Sequence, residues 1–327
     1  MPVTIRDVAR AAGVHISTVS RSFSAPHLVN AQTRTRVLTS AESLGYRPNH
    51  AARALITGRT YNIGLIVADI ANPFFPPLIK AAQNQARRRD YSVFIADTDE
   101  DRGVEERLVR AVARQVDGIV LCSPRMANER IDRLRVEAPI VVINRAVPSL
   151  PAVLMDMAAG AAQAVEHLLQ LGHRKIALLD GPRGSWAGRQ IRRSAQVTAQ
   201  AGGANLGVIG PSPPTEAGGA EAAQVLLHSG ATAVLAYNDL MAIGLLVTLE
   251  RLAVRVPQDI SVIGIDDIAL SRLTRPGLTT VATPAAAAGE TAVDMLLSSY
   301  GGPPPANQVT LATQLIIRDS TGPVPAR

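Results

Sequence analysis

The stretch HISTVSR (residues 15–21) spaces hydrogen-bonding side chains about one helical turn apart. In a helix that starts near residue 16, one face carries Ile16, Ser17, Ser20 and Arg21. An arginine can bridge O6 and N7 of guanine, a serine can bond several base edges, and an isoleucine can contact a thymine methyl group. The pattern therefore predicts that these four residues contact bases in a DNA groove.

A helix-turn-helix unit is the element that would present this face. A first helix is predicted after Thr4, because apolar residues follow it at the i, i+3, i+4, i+7 spacing of an amphipathic helix. Gly13 then permits the left-handed backbone of a sharp turn. A second helix over about 16–23 and a third from 31 to about 44, with Leu44 on its inner face, complete the unit.

Positive charge is concentrated in the same region. Residues 1–60 contain eight arginines against two acidic residues, Asp7 and Glu42, and this excess equals the formal net charge of +6 of the whole chain. A basic head on a neutral remainder favours a polyanionic partner, since attraction to phosphates sums over local charges. The simpler alternative is a solvated basic segment without a partner.

Two segments, VTIRDVARAAGVHISTVSR and GYRPNHAARAL, resemble the head of the lac repressor/galactose repressor family of bacterial transcription factors. The spacing of D-V-A-x-x-A-G-V, T-V-S-R and G-Y-x-P-N carries the resemblance. It implies a transcriptional repressor that binds a palindromic operator in double-stranded DNA as a homodimer. His15 departs from the family pattern, which has a serine there that caps the second helix and touches phosphate. Histidine is expected to cap less well.

Further DNA contacts are expected on both sides of the recognition helix. Backbone phosphates are expected to contact Thr4, His15, Asn30, Thr33 and Arg34. The segment after Pro48 is similar to the family's hinge helix, which pairs with its dimer mate in the minor groove. Its expected minor-groove residues are Ala52, Arg53 and Leu55, with Leu55 as the wedge that bends the duplex. An ordinary alanine-rich linker is the alternative.

The rest of the chain alternates apolar runs with helical patterns. Two series of four runs read as buried strands: GLIVAD, YSVFIADT, DGIVLCSP and PIVVINR, then KIALLDG, NLGVIG, ATAVLAYND and ISVIGIDD. Continuous apolar strands joined by helices indicate doubly wound parallel sheets. The predicted fold is thus a small all-α helix-turn-helix head with an α/β body of two such lobes. The family resemblance implies that this body is similar to a periplasmic sugar-binding protein.

The expected domain boundaries follow from these patterns and from the resemblance. The predicted domains are a DNA-binding head (1–46), a hinge helix or linker (47–60), and an effector-binding and dimerisation domain (61–327). The resemblance implies that the chain returns to its first lobe late, so that lobe 1 takes about 61–158 and 283–312, and lobe 2 about 159–282 and 313–321. No leucine heptad follows the last strand, so a dimer is expected rather than a tetramer.

Polar and aromatic side chains follow the predicted strands, where ligands of such sheets bind. Four of the ten aromatic residues of the chain lie in these segments. Aromatic faces stack on sugar rings, and polar groups bond their hydroxyls. The residues expected to bind a small-molecule effector, a sugar or sugar derivative, are Asp69, Phe74, Phe75, Ser123, Asn144, Trp186, Arg189, Arg192, Tyr237, Asn238 and Asp266. Each has a simpler alternative, since aspartates cap helices and phenylalanines pack in cores.

The family resemblance assigns some of these positions more closely. Asp266 in GIDD and Asn238 in YND match the family's effector ligands, and Asn144 replaces a position that is often aspartate. The usual effector arginine falls on Ile191, so either Arg189 or Arg192 takes its place, or the effector is not a simple sugar. Release from DNA on effector binding and tighter binding both occur in the family, and the sequence favours neither.

Other functional classes find little support. No nucleophile elbow, zinc-protease or phosphate-loop motif is present, so no catalytic residue, metal or cofactor is predicted. The single cysteine and the lack of a visible export signal or membrane span favour a cytoplasmic protein that does not associate with membranes. The main alternative is the solute-binding protein of a transporter, which the body alone would fit. The basic DNA-reading head argues against it.

Overall fold

The computed structural model describes residues 3–24, 26–46, 58–298 and 308–325, and the chain divides into two compact units, Met1–Tyr61 and Asn62–Arg327. The first unit, the head, is helical. Its elements are α1 (Ile5–Ala12), α2 (Ile16–Ser24), a short 3-10 helix (Pro26–Leu28) and α3 (Ala31–Ser43). The second unit, the body, contains two six-stranded sheets.

The head has its own small apolar core. The fully or nearly fully buried side chains are Val8, Ala9, Ala12, Val19, Val37 and Ala41. Gly13 ends α1 with φ of +63°, the left-handed conformation that the sharp turn requires. The prediction that Leu44 faces inward is wrong, because α3 ends at Ser43 and Leu44 is 37% exposed.

The first sheet of the body defines lobe 1. Its strands run in the order β11-β5-β4-β3-β1-β2 and all neighbouring pairs are parallel. They are β1 (Asn62–Val67), β2 (Ser92–Asp97), β3 (Gly118–Cys122), β4 (Ile140–Ile143), β5 (Ala152–Met155) and β11 (Gln308–Leu311). Helices cover both faces: α4 (Phe75–Arg87) and α11 (Ala285–Ser298) on one, α5 (Arg102–Ala113) and α6 (Asn128–Leu134) on the other.

The second sheet defines lobe 2, with the order β12-β10-β9-β8-β6-β7. Its strands are β6 (Lys175–Leu179), β7 (Asn205–Ile209), β8 (Ala233–Ala236), β9 (Ser261–Asp266), β10 (Thr279–Ala282) and β12 (Gln314–Ile316). Only β12 among them pairs antiparallel, with β10. The covering helices are α7 (Met157–Gln170), α8 (Trp186–Ala201), α9 (Glu216–Ser229) and α10 (Asp239–Arg251), and a 3-10 turn (Ala269–Arg272) follows β9.

This architecture confirms the predicted fold class. The central strands β3, β4 and β8 are buried along their whole length, which is why they read as continuous apolar runs. None of the helices in the described part of the chain is long and apolar enough to cross a membrane. Within the same residues no cluster of three or more histidine, cysteine, aspartate or glutamate side chains is placed to hold a metal ion.

Candidate nucleic-acid interface and ligand cavity

Helix α2 turns one face to solvent and the opposite face to the core of the head. Ile16 is 37% exposed, Ser17 and Arg21 are exposed, and Ser20 is partly buried. Val19 is fully buried on the opposite side of the helix and fixes its rotation. The four residues predicted to contact bases therefore share a surface, as their spacing requires.

His15 directly precedes α2 and takes the place of the more usual serine or threonine cap. Its Nδ1 accepts a hydrogen bond from the backbone N of Ser17 at 3.3 Å and lies 2.9 Å from the Ser17 hydroxyl. The imidazole thus occupies the position of a cap for α2, and the expectation that histidine caps this helix less well remains a prediction. Because the same ring contacts Ser17, the predicted phosphate contact and a predicted base contact are physically linked.

The remaining residues predicted to contact phosphate lie at helix starts. Thr4 precedes α1, and its backbone N and hydroxyl both donate to the Asp7 carboxylate, at 3.0 and 2.7 Å. Asn30 caps α3 by accepting from the backbone amide two residues ahead, at 2.9 Å. Thr33 and Arg34 follow in the first turn of α3, where backbone N–H groups favour an anion. The hinge residues Ala52, Arg53 and Leu55 lie outside the described residues.

In the body, residues from both lobes enclose a cavity at the carboxyl ends of the strands. Seven of the residues predicted to bind an effector line it: Phe74, Phe75, Ser123, Asn144, Tyr237, Asn238 and Asp266. The rings of Phe74 and Phe75 pack edge to face, with centroids 4.9 Å apart. These rings give the cavity an apolar side, and the other five residues give it hydrogen-bonding groups.

Four other predicted residues do not line this cavity. Asp69 accepts from the backbone N of Ala71 at 2.8 Å and so shapes the turn after β1. Trp186, Arg189 and Arg192 lie on α8, outside the lining of the cavity.

The rotation of α8 explains where its two arginines lie. Ile191 is buried in the core on the same face as Ala187 and Ala195. The neighbouring positions therefore point elsewhere around the helix. Arg192 pairs with Asp180 at 3.0 Å, and Arg189 is exposed and donates to the Gly184 carbonyl at 3.4 Å. Neither arginine reaches the cavity from this helix.

Six residues of the lining were not predicted as ligand-binding: Asn72, Glu100, Arg125, Met157, Ala187 and Pro214. Glu100 and Arg125 form an ion pair within the wall. The signal that would have found them is position, because each lies three residues after the end of a parallel strand, β2 or β3.

Backbone strain is concentrated where the strands deliver these residues. Ser123, Asn144 and Asp266 follow or end β3, β4 and β9 and have φ of +50°, +58° and +119°. Residues other than glycine rarely adopt such values, and they cluster at ligand sites when the surrounding fold holds them. The three side chains are thereby turned toward a common space beyond the sheets.

Burial controls the charge state of the cavity's acidic groups. The pKa of the Asp266 carboxyl is raised well above its ordinary value, chiefly by burial and then by the nearby Asp239 carboxylate. Burial also raises the pKa of the Tyr237 hydroxyl, which lies 3.0 Å from the Ser185 hydroxyl. Burial therefore disfavours the charged form of both groups.

Known proteins with the same organisation provide the comparison for these sites. Residues 4–49 match the lacI family of bacterial regulatory proteins, and residues 165–321 match a periplasmic binding protein-like domain. The transcriptional regulator DegA of Bacillus subtilis is 33% identical over 99% of both chains. The lac repressor dimer bound to operator and the anti-inducer ONPF has a TM-score of 0.89 at 27% identity, covering 98% of this chain and 100% of that one.

A second solved structure is a regulator of the same family from Enterococcus faecium with bound ribose. It has a TM-score of 0.72 at 28% identity and covers 80% of this chain and 99% of that one. The likeness to DegA extends over almost the whole length of both proteins, head and body together. This protein therefore belongs to the lacI family of bacterial transcriptional regulators.

Proposed function

We propose that this protein is a cytoplasmic transcriptional repressor that binds a palindromic operator as a homodimer and responds to a small-molecule effector in the body cavity. The observation that carries the proposal is the exposed polar face of α2, held by the buried Val19 on its opposite side. A buried or purely structural helix has no use for exposed serine and arginine side chains at this spacing. The head also argues against a solute-binding protein of a transporter.

The cavity supports control by a polyhydroxylated effector, a sugar or sugar derivative. It combines the Phe74–Phe75 pair with the amide groups of Asn144 and Asn238 and the carboxyl of Asp266. The related Enterococcus faecium structure contains ribose. A ligand that contacts both lobes favours the closed arrangement of the body by the difference between its affinities for the two states.

Exposed apolar side chains support a dimer. Phe94 and Ile95 are 43% and 38% exposed on β2, which is an edge strand of lobe 1. On lobe 2, Leu270 in the 3-10 turn after β9 is 45% exposed, and Leu273 directly after the turn is 68% exposed. Exposed apolar side chains on an edge strand and at an exposed turn favour association, and a two-fold dimer matches a palindromic DNA site.

Selection of binding sites from a random double-stranded DNA pool with the full-length protein tests the proposal. Dimeric readout predicts an enriched palindrome of about 14–20 base pairs. Sequencing of the selected pool at moderate salt provides the measurement. If no motif is enriched, either alone or with a panel of sugars and nucleosides present, the head does not read sequence and the proposal fails.

Replacing Arg21 by alanine is expected to weaken binding to the selected operator by about 1–3 kcal/mol and to relax base preference at one position of each half-site. The reason is the loss of a bidentate contact to a base edge. Fluorescence anisotropy with the selected operator and single-base variants measures both effects. An equal loss on every sequence would instead make Arg21 a phosphate-contacting residue. Arg36, an exposed arginine of α3, provides the matched control.

Replacing Asp266 by alanine is expected to abolish the effector response while the operator affinity without effector stays within about twofold of wild type. Asp266 lines the cavity in the body, whereas the DNA-contacting residues lie in the separate head. The assay is operator anisotropy against a panel of uncharged sugars and nucleosides, first with wild type to find an active compound. A normal response of the variant would remove Asp266 from the effector site. Asp259, whose side chain is 36% exposed and paired with Arg255, is the control aspartate.

A further inference from the structure

The cavity contains an ion pair whose two members both come from lobe 1. Arg125 donates through Nε and Nη2 to the two carboxylate oxygens of Glu100, the second at 2.8 Å. Its Nη1 donates to the Ser123 carbonyl at 2.9 Å. The side chains of Arg125 and Glu100 are 6% and 23% exposed. The guanidinium is thus neutralised within the wall, by a bidentate contact of the strongest kind that arginine forms.

The chain adopts an unusual conformation to place Glu100 there. Asp99 and Glu100, consecutive residues between β2 and α5, have φ of +49° and +58°. The backbone N of Glu100 donates to the Ala68 carbonyl at 2.7 Å, which ties the turn to the end of β1. Two successive left-handed residues other than glycine are uncommon, and the surrounding hydrogen bonds hold them. The turn therefore delivers a carboxylate to Arg125 at a conformational cost.

The described part of the cavity lining offers a ligand no second cation. Among the described residues that line it, Arg125 is the only positively charged one, and the acidic ones are Glu100 and Asp266. A second carboxyl, that of Glu105, accepts from the backbone N of Arg125 at 2.9 Å. An anionic ligand would lose its hydration beside the Glu100 carboxylate, in a space of low dielectric constant where no described lining residue offers an unpaired cation.

One buried acceptor in the lining lacks a partner. The Oδ1 of Asn144 is buried and accepts no hydrogen bond from the described residues, and the residue as a whole is 8% exposed. An unsatisfied buried acceptor is costly and is satisfied by a ligand that carries an O–H or N–H group. A deprotonated phosphate or carboxylate group has no such donor, whereas a hydroxyl or an amine has one.

We propose that the Glu100–Arg125 ion pair makes the cavity selective for uncharged ligands that carry O–H or N–H donors, and excludes phosphorylated and carboxylated ones. The proposal rests on the proposed effector function of the cavity, and it assigns Glu100 as the residue that determines charge selection. Removing the charge of Glu100 frees the charge of Arg125, so the same cavity then accepts an anion. In that case the guanidinium of Arg125 attracts the anion, without the introduction of another cationic side chain.

Isothermal titration calorimetry of the full-length protein with inorganic phosphate, at matched ionic strength, tests the assignment. Glu100→Gln keeps the shape of the side chain and is expected to bind phosphate at least about tenfold more tightly than wild type. The double variant Glu100→Gln/Arg125→Gln is expected to lose that gain. Phosphate bound by the head contributes equally to all three proteins and cancels in the comparison. A gain that is absent, or that persists in the double variant, overturns the proposal.

A second measurement uses wild type alone and decides the question if Glu100→Gln does not fold. Thermal unfolding is followed with ribose, galactose and cytidine, and with a phosphate ester of each. No ester is expected to raise the unfolding temperature more than its uncharged parent. An ester that does so overturns the proposal. Failure of the proposed effector function gives a different result from failure of this proposal. In that case no compound changes the operator anisotropy, but Glu100→Gln still binds phosphate more tightly than wild type.

Discussion

Replacing Gly219 by alanine is expected to lower the free energy of unfolding of the body by about 3 kcal/mol. Helices α9 and α10 cross with their backbones in contact, and a Cβ on Gly219 would lie 1.9 Å from the Met241 carbonyl oxygen. The contact is reciprocal, since a Cβ on Gly244 of α10 would lie 1.9 Å from the Glu216 carbonyl oxygen. Backbone cannot give way as a flexible side chain can, so the two helices must separate.

The expected loss already includes the better helix propensity of alanine, which by itself would add up to about 1 kcal/mol of stability. Urea unfolding followed by the fluorescence of Trp186, the single tryptophan, measures the transition of lobe 2, in which both helices lie. Gly207→Ala is the control, because its added Cβ meets no atom within 4 Å. A Gly219→Ala protein as stable as the Gly207→Ala protein would show that the helices do not cross so closely.

The same crossing supports the ligand cavity. Asn238 caps α10 by accepting from the backbone N of Met241 at 2.9 Å, and its Nδ2 donates to the Pro214 carbonyl at 2.9 Å just before α9. Both Asn238 and Pro214 line the cavity. A shift of α9 away from α10 therefore also displaces part of the cavity wall, which links this packing contact to effector binding.

Removal of the Asp239 side chain has the second large expected effect. Asp239 is fully buried at the start of α10. Its carboxylate accepts from the backbone N of Ile268 at 2.9 Å, and from the Ser271 and Thr280 hydroxyls at 2.5 Å each. Asp239→Ala leaves these donors buried without an acceptor and is expected to destabilise the body by about 3 kcal/mol. The loop it holds follows Asp266, so effector binding is expected to weaken as well.

Asp239 also predicts a pH dependence whose sign is opposite to the usual one for aspartate. Burial is the main cause that raises its pKa from 3.8 to about 7, against the opposing effect of its three hydrogen bonds. A group with a raised pKa in the folded state contributes stability that is present below its ordinary pKa and is lost as the pH rises through about 7. Between about pH 6 and about pH 8 the loss amounts to about 1 kcal/mol.

The measurement compares the free energies of unfolding of wild type and Asp239→Asn at these two pH values. The difference between the two proteins is expected to change with pH, because the amide does not titrate. Groups common to both proteins cancel, such as His173, whose pKa is lowered by burial. Asp259→Asn is the control, since its exposed carboxyl has a pKa of about 2 beside Arg255 and does not titrate in this range. If the difference between the two free energies of unfolding is the same at both pH values, Asp239 does not titrate between them.

The sequence by itself determined the elements of this protein and the class of its fold. Buried parallel strands such as β3 and β8 must be apolar on both faces, so they can be recognised in the sequence as continuous apolar runs. Helix α2 can be recognised for a related reason, since Val19 packs in the core of the head while Ser17 and Arg21 face solvent. Both patterns arise from local periodicity and need no knowledge of distant contacts.

Only the tertiary structure decided which polar residues meet in the cavity. Arg189 and Arg192 have the right chemistry, but the burial of Ile191 rotates them away from it. Arg125 is the arginine that lines the cavity, and Glu100 reaches it through a turn of two left-handed residues. The physical reason is that a side chain's direction depends on helix rotation and on strained backbone angles, and both are set by packing and hydrogen bonds with residues far away in the chain.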